Sequence, residues 1–574
     1  MEDRRTALAV LLCMFVLMFW MEMVMAPYNR RPLDTGQTGD TPQSQAGQVA
    51  QQQKQVSTQA QTQQPAVPQQ TTILPPPTPA EYQAQGFLQI SNPLFELKLA
   101  KLGARVSNFL LKEYKAHKDS DAQLDMVLIN EGGSLPLGVH IGPLSDEHVI
   151  YTLERVEGGS FIGEDRYSIE AGKNATFYLT GQLNESTKIS KTIGINGSSY
   201  LLKVSVNLSS TTPDGASVWL EWRRVDASQS VDSGLNIKSY SLLGIDNKVS
   251  IKEADSVKEP LLEVGQQQWV TFGDRYFMAA LIAPQPGTLT RIGKDGQAFY
   301  SRVSAGQPSA DFNVFIGPKN HVELKQAGFQ LERTVDLGMF AFIAHPLLSC
   351  IRFFYSLIGN YGMAIILLTL LIKTLFLPLT KSSFKSMKAM QTLQPEMKAL
   401  RERIQDPTKL NQEMMALYKK HGVNPMGGCL PMLIQLPVFL GLYNALNNSI
   451  ELRHAPFALW IDDLSSVERL EFLGVGIPVM VLLMGASMFV QMWTTPSAAD
   501  PQQKKIMMMM PVIFTISFII FPFPSGLVLY WLVNNLISII QQMYLAGQKE
   551  GSSFQGTVLA SVIIFFFGYI LTLL

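Results

Sequence analysis

The placement of the long apolar stretches constrains this fold more than any other feature of the chain. One stretch lies at residues 7–26, and the others follow residue 338, beyond a more polar region. A helix of about 20 apolar residues is long enough to cross the hydrocarbon core of a bilayer. The later candidates are 360–379, 429–446, 474–493, 507–524, 527–545 and 556–574. The sequence therefore predicts an α-helical polytopic membrane protein with a large soluble domain after its first span.

The first apolar stretch is preceded by Arg4 and Arg5 and is followed by no small-residue cleavage motif. Because basic residues beside a span stay in the cytoplasm, residues 1–26 are predicted to be an uncleaved signal-anchor with a cytoplasmic amino terminus. The next segment, 27–85, is rich in glutamine and proline. Such a composition buries too little apolar surface to offset the entropy of ordering, so a disordered tether is predicted.

Residues 86–337 contain short runs of alternating or β-branched residues, separated by Gly, Asn, Asp and Pro. This pattern predicts a soluble all-β domain, and its size favours a large sandwich. The segment contains no sequence cluster of metal ligands, no nucleophile elbow and no phosphate loop. We expect a scaffold rather than an enzyme, with no cofactor and no metal, although a cleft for a sugar or a protein partner stays open.

Charge and cysteine content narrow the partners further. The chain has 46 basic and 46 acidic residues, so its formal charge is zero and attraction to DNA has no electrostatic support. Its three cysteines lie far apart within apolar segments. Neighbouring cysteines therefore cannot build a disulfide framework or a zinc site.

Residues 338–358 form an ambiguous apolar segment, because they include His345, Pro346 and Arg352. We predict an amphipathic helix at the membrane interface rather than a span. With that choice the loop 381–421, which holds nine Lys or Arg against four acids, becomes cytoplasmic, as the positive-inside rule requires. Residues 359–545 then form a five-span core, and the loop 447–473 lies outside.

The loop segment 382–421 is predicted to be a hairpin of two amphipathic helices, broken at Asp406-Pro407. Its apolar stripes hold four methionines at helical spacing: Met387, Met390, Met397 and Met414. One interpretation is that the two helices pack on each other. The other is that unbranched methionines form an adaptable surface for varied apolar clients, with the basic residues near anionic lipids or ribosomal RNA.

Lys373 is the most informative residue of the membrane region, because it lies inside the apolar stretch 360–379 and one turn after Thr369. A lysine inside a span is costly and faces either a protein interior, a watery cavity or, by snorkelling, the interface. Later spans add polar side chains, which either join helices by hydrogen bonds or line a hydrated concavity. They are Gln435, Gln491, Asn534, Asn535, Gln541 and Gln542.

Four long segments resemble one known family. They are NPMGGCLPMLIQLPVFLGLY, ELRHAPFALWIDDLS, DPQQKKIMMMMPVIFT and FPSGLVLYWLVNNLISIIQQ. The chain is similar in these segments, and in its order of anchor, tether, β domain and helical core, to the YidC family of bacterial inner-membrane protein insertases. The resemblance implies a groove open to cytoplasm and lipid but closed toward the periplasm. It also implies that the β domain is a periplasmic supersandwich.

The resemblance further implies a set of site residues and partners. The groove cation of the family, usually arginine, matches Lys373, and Gln435 lies among the expected groove residues. Client-contact positions match Thr369, Phe439, Tyr530 and Trp531. The expected partners are nascent membrane proteins, the Sec translocon and the ribosome or signal recognition particle pathway.

Two departures from the family pattern stand out. Trp531 replaces a residue that is commonly tyrosine, and residues 546–574 continue as an extra hydrophobic segment where a basic tail is common. The alternative function is a transporter or channel with Lys373 as its intramembrane site. Many transporters are built from inverted repeats, and no such repeat is evident among these spans. A tethered carbohydrate-acting β enzyme is a third possibility.

Overall fold

The computed structural model of the protein describes residues 75–118, 120–127, 133–209, 217–225, 239–257, 262–286, 288–295, 298–423, 430–472, 474–495, 501–521 and 523–547. The predicted signal-anchor, the tether up to residue 74 and the hydrophobic segment from residue 548 onward lie outside these residues.

The last part of the segment predicted as a tether, up to residue 85, includes a short helix. Helix α1 (Pro79–Gln85) begins with a capping box, in which the Thr78 side chain accepts from the Glu81 backbone and the Glu81 carboxylate accepts from the Thr78 backbone. The box satisfies two otherwise unpaired donors, and Tyr82 is buried against the β domain. These local contacts stabilise a short helix that composition alone does not predict.

The β domain follows directly. Its strands are β1 (Phe87–Ser91), β2 (Phe95–Ala100), β3 (Arg105–Lys115), β4 (Gln123–Asp125), β5 (Gly138–Ile141), β6 (Leu144–Ser145), β7 (Tyr151–Glu157), β8 (Ser160–Gly163), β9 (Arg166–Ser168), β10 (Asn174–Gln182), β11 (Lys188–Asn196), β12 (Leu201–Ser209), β13 (Val218–Val225), β14 (Ser239–Gly244), β15 (Val249–Glu253), β16 (Leu262–Gly273), β17 (Phe277–Ile282), β18 (Thr288–Asp295), β19 (Ala298–Ser304) and β20 (Ser309–Pro318). Within the described ranges they form two main sheets, so the predicted large all-β sandwich is confirmed.

The first sheet has six strands in the order β4-β3-β2-β1-β9-β8, and the second has fourteen. The second sheet follows the path β6-β5-β13-β19-β18-β16-β17-β20-β12-β11-β10-β7, with β14 joining β15 and β16. The pairs are antiparallel apart from β1 with β9. Alternating burial places apolar residues between the sheets, where Phe95 and Phe109 stack at 4.3 Å between ring centroids.

A buried ionic cluster ties the two sheets together. Lys191 of β11 and Arg105 of β3 both contact Asp146, at 2.7 Å and 3.1 Å. The Lys191 amine also donates to the backbone oxygens of Gly103, at 2.9 Å, and Leu137, at 3.1 Å. Each charge in the cluster therefore has an opposite partner, which offsets part of the cost of removing these groups from water.

Helices dominate after the β domain. They are α2 (His321–Ala327), α3 (Ala341–Ile358), α4 (Tyr361–Leu375), α5 (Leu377–Thr392), α6 (Gln394–Arg403), α7 (Pro407–Lys420), α8 (Leu430–Asn447), α9 (Val479–Thr494), α10 (Pro501–Ile520) and α11 (Ser525–Gly547). By length and composition α3 and α11 could each cross a membrane, and α4 with α5, bent by 59°, could form a third span. Helix α9 and residues Met507–Ile520 are shorter apolar helices.

The membrane-region helices differ in detail from the sequence prediction. Helix α3, which we expected at the interface, is long and apolar enough to span, so its placement stays a prediction. The hairpin segment has an additional break at Leu393, since Pro395 in the first turn of α6 cannot continue the preceding hydrogen-bond ladder. Helix α7 begins at Pro407, where the Asp406 side chain accepts from the Thr408 backbone at 2.8 Å.

The segment between α8 and α9 connects the β domain to the helices. Ile450 lies in the hydrophobic core of the β domain, and Asn448 Nδ2 donates to the backbone oxygen of Asp336 at 2.7 Å. Arg453 Nη2 donates to the backbone oxygens of Lys115 and Ala116. Residues Leu470–Phe472 and Val475–Ile477 then form a two-stranded hairpin, β21 and β22. The segment therefore fixes the side of the bundle on which the β domain lies.

Candidate functional site

Lys373 and Ser538 form the central polar contact of the helical bundle. The Lys373 amine donates to Ser538 Oγ at 2.7 Å, and this hydroxyl donates in turn to the backbone oxygen of Asn534, also at 2.7 Å. Lys373 is half-buried and Ser538 is buried. Within the described part of the chain no carboxylate pairs with this amine. The bundle thus holds a cation on a neutral hydroxyl.

Helix α11 carries a row of polar side chains that reach neighbouring helices. Gln435 Nε2 of α8 donates to Asn534 Oδ1 at 2.6 Å, and Thr494 Oγ1 of α9 donates to Gln542 Oε1 at 2.8 Å. A third bond joins Asn535 to Ser487 at 3.0 Å. These contacts are hydrogen bonds between helices, which is one of the two roles left open by the sequence.

The four predicted client-contact residues do not share one exposed surface. Phe439 lies edge-on to Trp531, with ring centroids 4.9 Å apart, and both side chains are half-buried. Tyr530 is buried, and Thr369 is 0% exposed with its hydroxyl donating to the Ile365 backbone oxygen at 2.7 Å. Phe439 and Trp531 are therefore partly accessible in this arrangement of the helices, whereas Thr369 and Tyr530 are enclosed by it.

The methionines of the hairpin also divide into two groups. Met397 is buried, and its sulfur lies 3.8 Å from the Tyr418 hydroxyl, so it packs inside the hairpin. The side chains of Met387, Met390 and Met414 are half-buried. Both sequence interpretations thus retain support, with mutual packing of the helices at Met397.

The outer end of the bundle is covered by residues 454–466, named here the cover loop. Asn360, which caps α4, donates through Nδ2 to the Phe457 backbone oxygen at 3.0 Å. Ser525 Oγ and the Gly526 backbone, at the start of α11, donate to the oxygens of Asp463 and Leu464. Since Lys373 lies 12 residues beyond Tyr361, it is about 18 Å along α4 from this end.

Sequence reasoning missed several residues of this arrangement. Ser538 accepts a hydrogen bond from Lys373, and Ser487 accepts one from Asn535. Met415, at 59% exposed, is the most exposed methionine among the described residues of the hairpin. A signal for Ser538 existed, because it lies one helical turn from Asn534 and from Gln541.

Comparison with known proteins identifies the family. A family model described as 60Kd inner membrane protein matches residues 353–552, and one described as YidC periplasmic domain matches residues 88–350. A membrane protein insertase YidC of Syntrophobacter fumaroxidans is 37% identical over 486 residues, covering 79% of this chain and 85% of the relative. The chain belongs to the YidC family of membrane protein insertases. A YidC of Pelobacter propionicus is 35% identical and covers 95% of this chain and 99% of the relative.

The solved structure described as active YidC insertase with the first transmembrane domain resolved is 18% identical to this chain. It covers 78% of this chain and 90% of its own, with a TM-score of 0.34, which is too low to support an inference.

Family membership confirms several expectations. The chain is a membrane protein insertase and not an enzyme, its substrates are nascent membrane proteins, and its β domain is the periplasmic domain of the YidC family. The transporter or channel alternative and the carbohydrate-acting enzyme alternative are thereby set aside.

Proposed function

We propose that insertion by this YidC family member runs through a hydrophilic groove, open to cytoplasm and lipid, in which Lys373 receives the polar or acidic leader of a nascent span. One observation carries the proposal: the Lys373 amine is half-buried inside the helical bundle and is held by the Ser538 hydroxyl instead of an acid. An ammonium within a span costs about 2.5–3.5 kcal/mol on insertion scales. An anionic client would offset part of that cost.

Replacing the Ser538 hydroxyl by a client carboxylate as the partner of Lys373 is electrostatically favourable. At an effective dielectric constant near 20, a carboxylate about 4 Å from an ammonium gains roughly 4 kcal/mol before desolvation is subtracted. The Ser538 hydroxyl carries no formal charge, so its contact with the Lys373 ammonium, at 2.7 Å, lacks this ion-pair energy and would give way to an acidic leader.

A lysine at this position suits a point-charge mechanism. Its ammonium lacks the planar fork of arginine, so it favours any nearby anion without demanding bidentate geometry. The apolar segment behind the leader would then pass the half-buried pair Phe439 and Trp531 and leave the groove for lipid. That transfer is favourable by about 25 cal/mol per Å² of apolar surface.

The hairpin α5–α7 is the first surface that a cytoplasmic client would meet. Its half-buried Met387, Met390 and Met414, with the exposed Met415, form an apolar surface of flexible side chains. Its basic residues would lie near anionic lipid headgroups or the ribosome. Contacts with the ribosome or the signal recognition particle pathway would run through these basic residues.

The proposed location is the bacterial inner membrane, with several spans and a cytoplasmic amino terminus. Two features support this orientation: the positively charged loop 381–421 and the contact of the segment 448–453 with the β domain. Under this proposal the hairpin and the β domain lie on opposite sides of the membrane. Cooperation with the Sec translocon belongs to the same proposal.

The test is complementation of a depleted strain with Lys373→Arg, Lys373→Ala and Lys373→Glu, scored by protease accessibility of a small client with an acidic leader. Arginine should restore insertion. Alanine should slow it about tenfold, the factor that corresponds to 1.4 kcal/mol, and glutamate should slow it further. A client with a neutral leader should respond much less, because it makes no ion pair.

Two controls separate charge from structure. Ser538→Ala keeps the cation and should leave insertion of the acidic client intact, and Lys173→Ala removes an exposed lysine of the β domain, outside the proposed groove and hairpin. If Lys373→Ala restored insertion of the acidic client as well as the unaltered chain does, the role of the charge would be refuted.

A further inference from the structure

A cavity of about 110 Å³ lies between the hairpin β21–β22 and the ends of helices α9, α10 and α11. Val481, Phe518 and Val528 line its helical side, and Arg469 and Glu468 line its hairpin side. The helical wall is therefore apolar, whereas the opposite wall presents charged groups. This cavity is separate from the Lys373 site, since Val528 precedes Ser538 by ten residues, about 15 Å along α11.

The two charged residues of the cavity differ in what they already bind. Glu468 is buried and accepts from Trp460 Nε1 at 2.5 Å and from the Met480 backbone at 3.0 Å. Arg469 is exposed, and no ion pair or hydrogen bond engages its side chain within the described residues. Its stem packs across Gly476, where an added Cβ would lie 3.0 Å from Arg469 Cδ. The guanidinium is thus available to an external anion.

The surroundings of the cavity place it at the level of lipid headgroups. Phe472 and Val475, at the turn of the hairpin, are 60% and 63% exposed. Ile520 and Phe521, at the end of α10, are exposed as well. The hairpin belongs to the segment that contacts the periplasmic β domain through Arg453. Exposed apolar residues beside a free arginine are typical of the boundary between headgroups and acyl chains.

We propose that this cavity binds a phospholipid of the periplasmic leaflet, with the phosphate on Arg469 and the first part of an acyl chain against Val481, Phe518 and Val528. A phospholipid matches both halves of the site, because it joins an anionic group to a hydrocarbon chain. A free anion would leave the apolar wall unfilled, and an apolar peptide segment would leave the guanidinium unpaired. The site is a second, lipid-binding role that does not depend on the groove mechanism.

The experiment uses the full-length protein in phosphatidylcholine nanodiscs doped with phosphatidylethanolamine that carries a diazirine in its acyl chain. After illumination, mass spectrometry maps the labelled peptides. Segments 467–481 and 518–528 should be labelled more strongly than the exposed face of α3. Arg469→Gln should lower this labelling about tenfold, because it removes the charge-assisted hydrogen bond to the lipid phosphate, and Arg469→Lys should retain most of it.

Further variants keep the test decisive. Val481→Phe should lower the labelling by filling the cavity with the charge unchanged, whereas Arg166→Gln, on the exposed edge of the β domain, should have no effect. Excess unlabelled phosphatidylethanolamine should compete with the label. Equal labelling of Arg469→Gln and the unaltered chain would overturn the proposal. Competition by an apolar client peptide, but not by the lipid, would reassign the cavity to clients.

Discussion

Replacement of Arg453 by alanine should release the cover loop from the β domain. Arg453 immediately precedes this loop, and its Nη2 donates to the backbone oxygens of Lys115 at 3.0 Å and Ala116 at 3.2 Å. Its guanidinium carbon lies 5.3 Å from the centroid of the Phe277 ring. All three partners belong to the β domain, so this side chain joins that domain to the loop that covers α4 and α11, beside a second link through the ion pair of Lys118 with Asp462.

The magnitude follows from these contacts. A hydrogen bond from a charged donor contributes about 1.5–3 kcal/mol, and one nitrogen shared between two acceptors counts once. Water can reach the Lys115 oxygen and replace part of this bond, which favours the lower end of the range. The cation–π contact adds about 0.5–1 kcal/mol. The total of about 2 kcal/mol corresponds to a roughly 30-fold shift toward the released loop.

Hydrogen exchange of the full-length protein in nanodiscs measures this shift. The Leu464 backbone donates to the Ala455 oxygen at 2.9 Å, so peptides across residues 454–466 report release of the loop. Their exchange should accelerate by about 30-fold in Arg453→Ala, and less in Arg453→Lys. Arg166→Ala should have no effect. Unchanged exchange in the loop would refute the clamp, and acceleration throughout the β strands would indicate unfolding of the domain instead.

The remaining predictions concern two buried carboxylates, those of Asp146 and Glu468. Lys191→Met leaves Asp146 without its closest cation, although Arg105 still pairs with the carboxylate, and should destabilise the β domain by about 1–3 kcal/mol, measured by thermal unfolding. Burial is the largest single effect and raises the pKa of Asp146, but the charges of Lys191 and Arg105 together with the hydrogen bonds from Lys191 and the Val139 backbone hold that pKa below its usual value. The stabilisation is therefore complete above about pH 4 and is lost as the pH falls through the lower folded value. Asp146→Asn should abolish this acid dependence. Glu468→Gln should weaken the cap on the Met480 backbone by about 1 kcal/mol, seen as faster exchange in the first turn of α9, whereas unchanged exchange would show that the amide oxygen replaces the carboxylate fully.

The β domain illustrates how far a residue pattern predicts structure. The alternation along β11 predicts a strand with Ile189, Ile193 and Ile195 on its buried face. The same alternation puts Lys191 on that face, which signals a buried partner. The partner is Asp146, which lies 45 residues earlier, and no local pattern connects the two. Strand identity is encoded locally, whereas the pairing of buried charges depends on how the two sheets pack.

The helical core shows the same contrast between features encoded locally and contacts that depend on packing. Apolar length predicts where the membrane helices lie, and Lys373 is conspicuous because a charge is rare in such a stretch. Its partner Ser538 is 165 residues away and lies on another helix, so only the packing of α4 against α11 brings the two together. The burial of Thr369 likewise results from the packing of several helices, which a single-helix pattern does not specify.

The contacts of α11 differ between its two ends, and this difference favours opening from the cytoplasmic side. Toward the cytoplasm, Asn534, Ser538 and Gln542 contact other helices through side-chain hydrogen bonds, which average about 0.6 kcal/mol in membrane proteins. At the periplasmic end, Ser525 and Gly526 donate to backbone oxygens of the cover loop. That loop is in turn attached to the β domain. Separation of the helices near Lys373 therefore costs less than release of the covered end, as the proposed groove, open to the cytoplasm and closed toward the periplasm, requires.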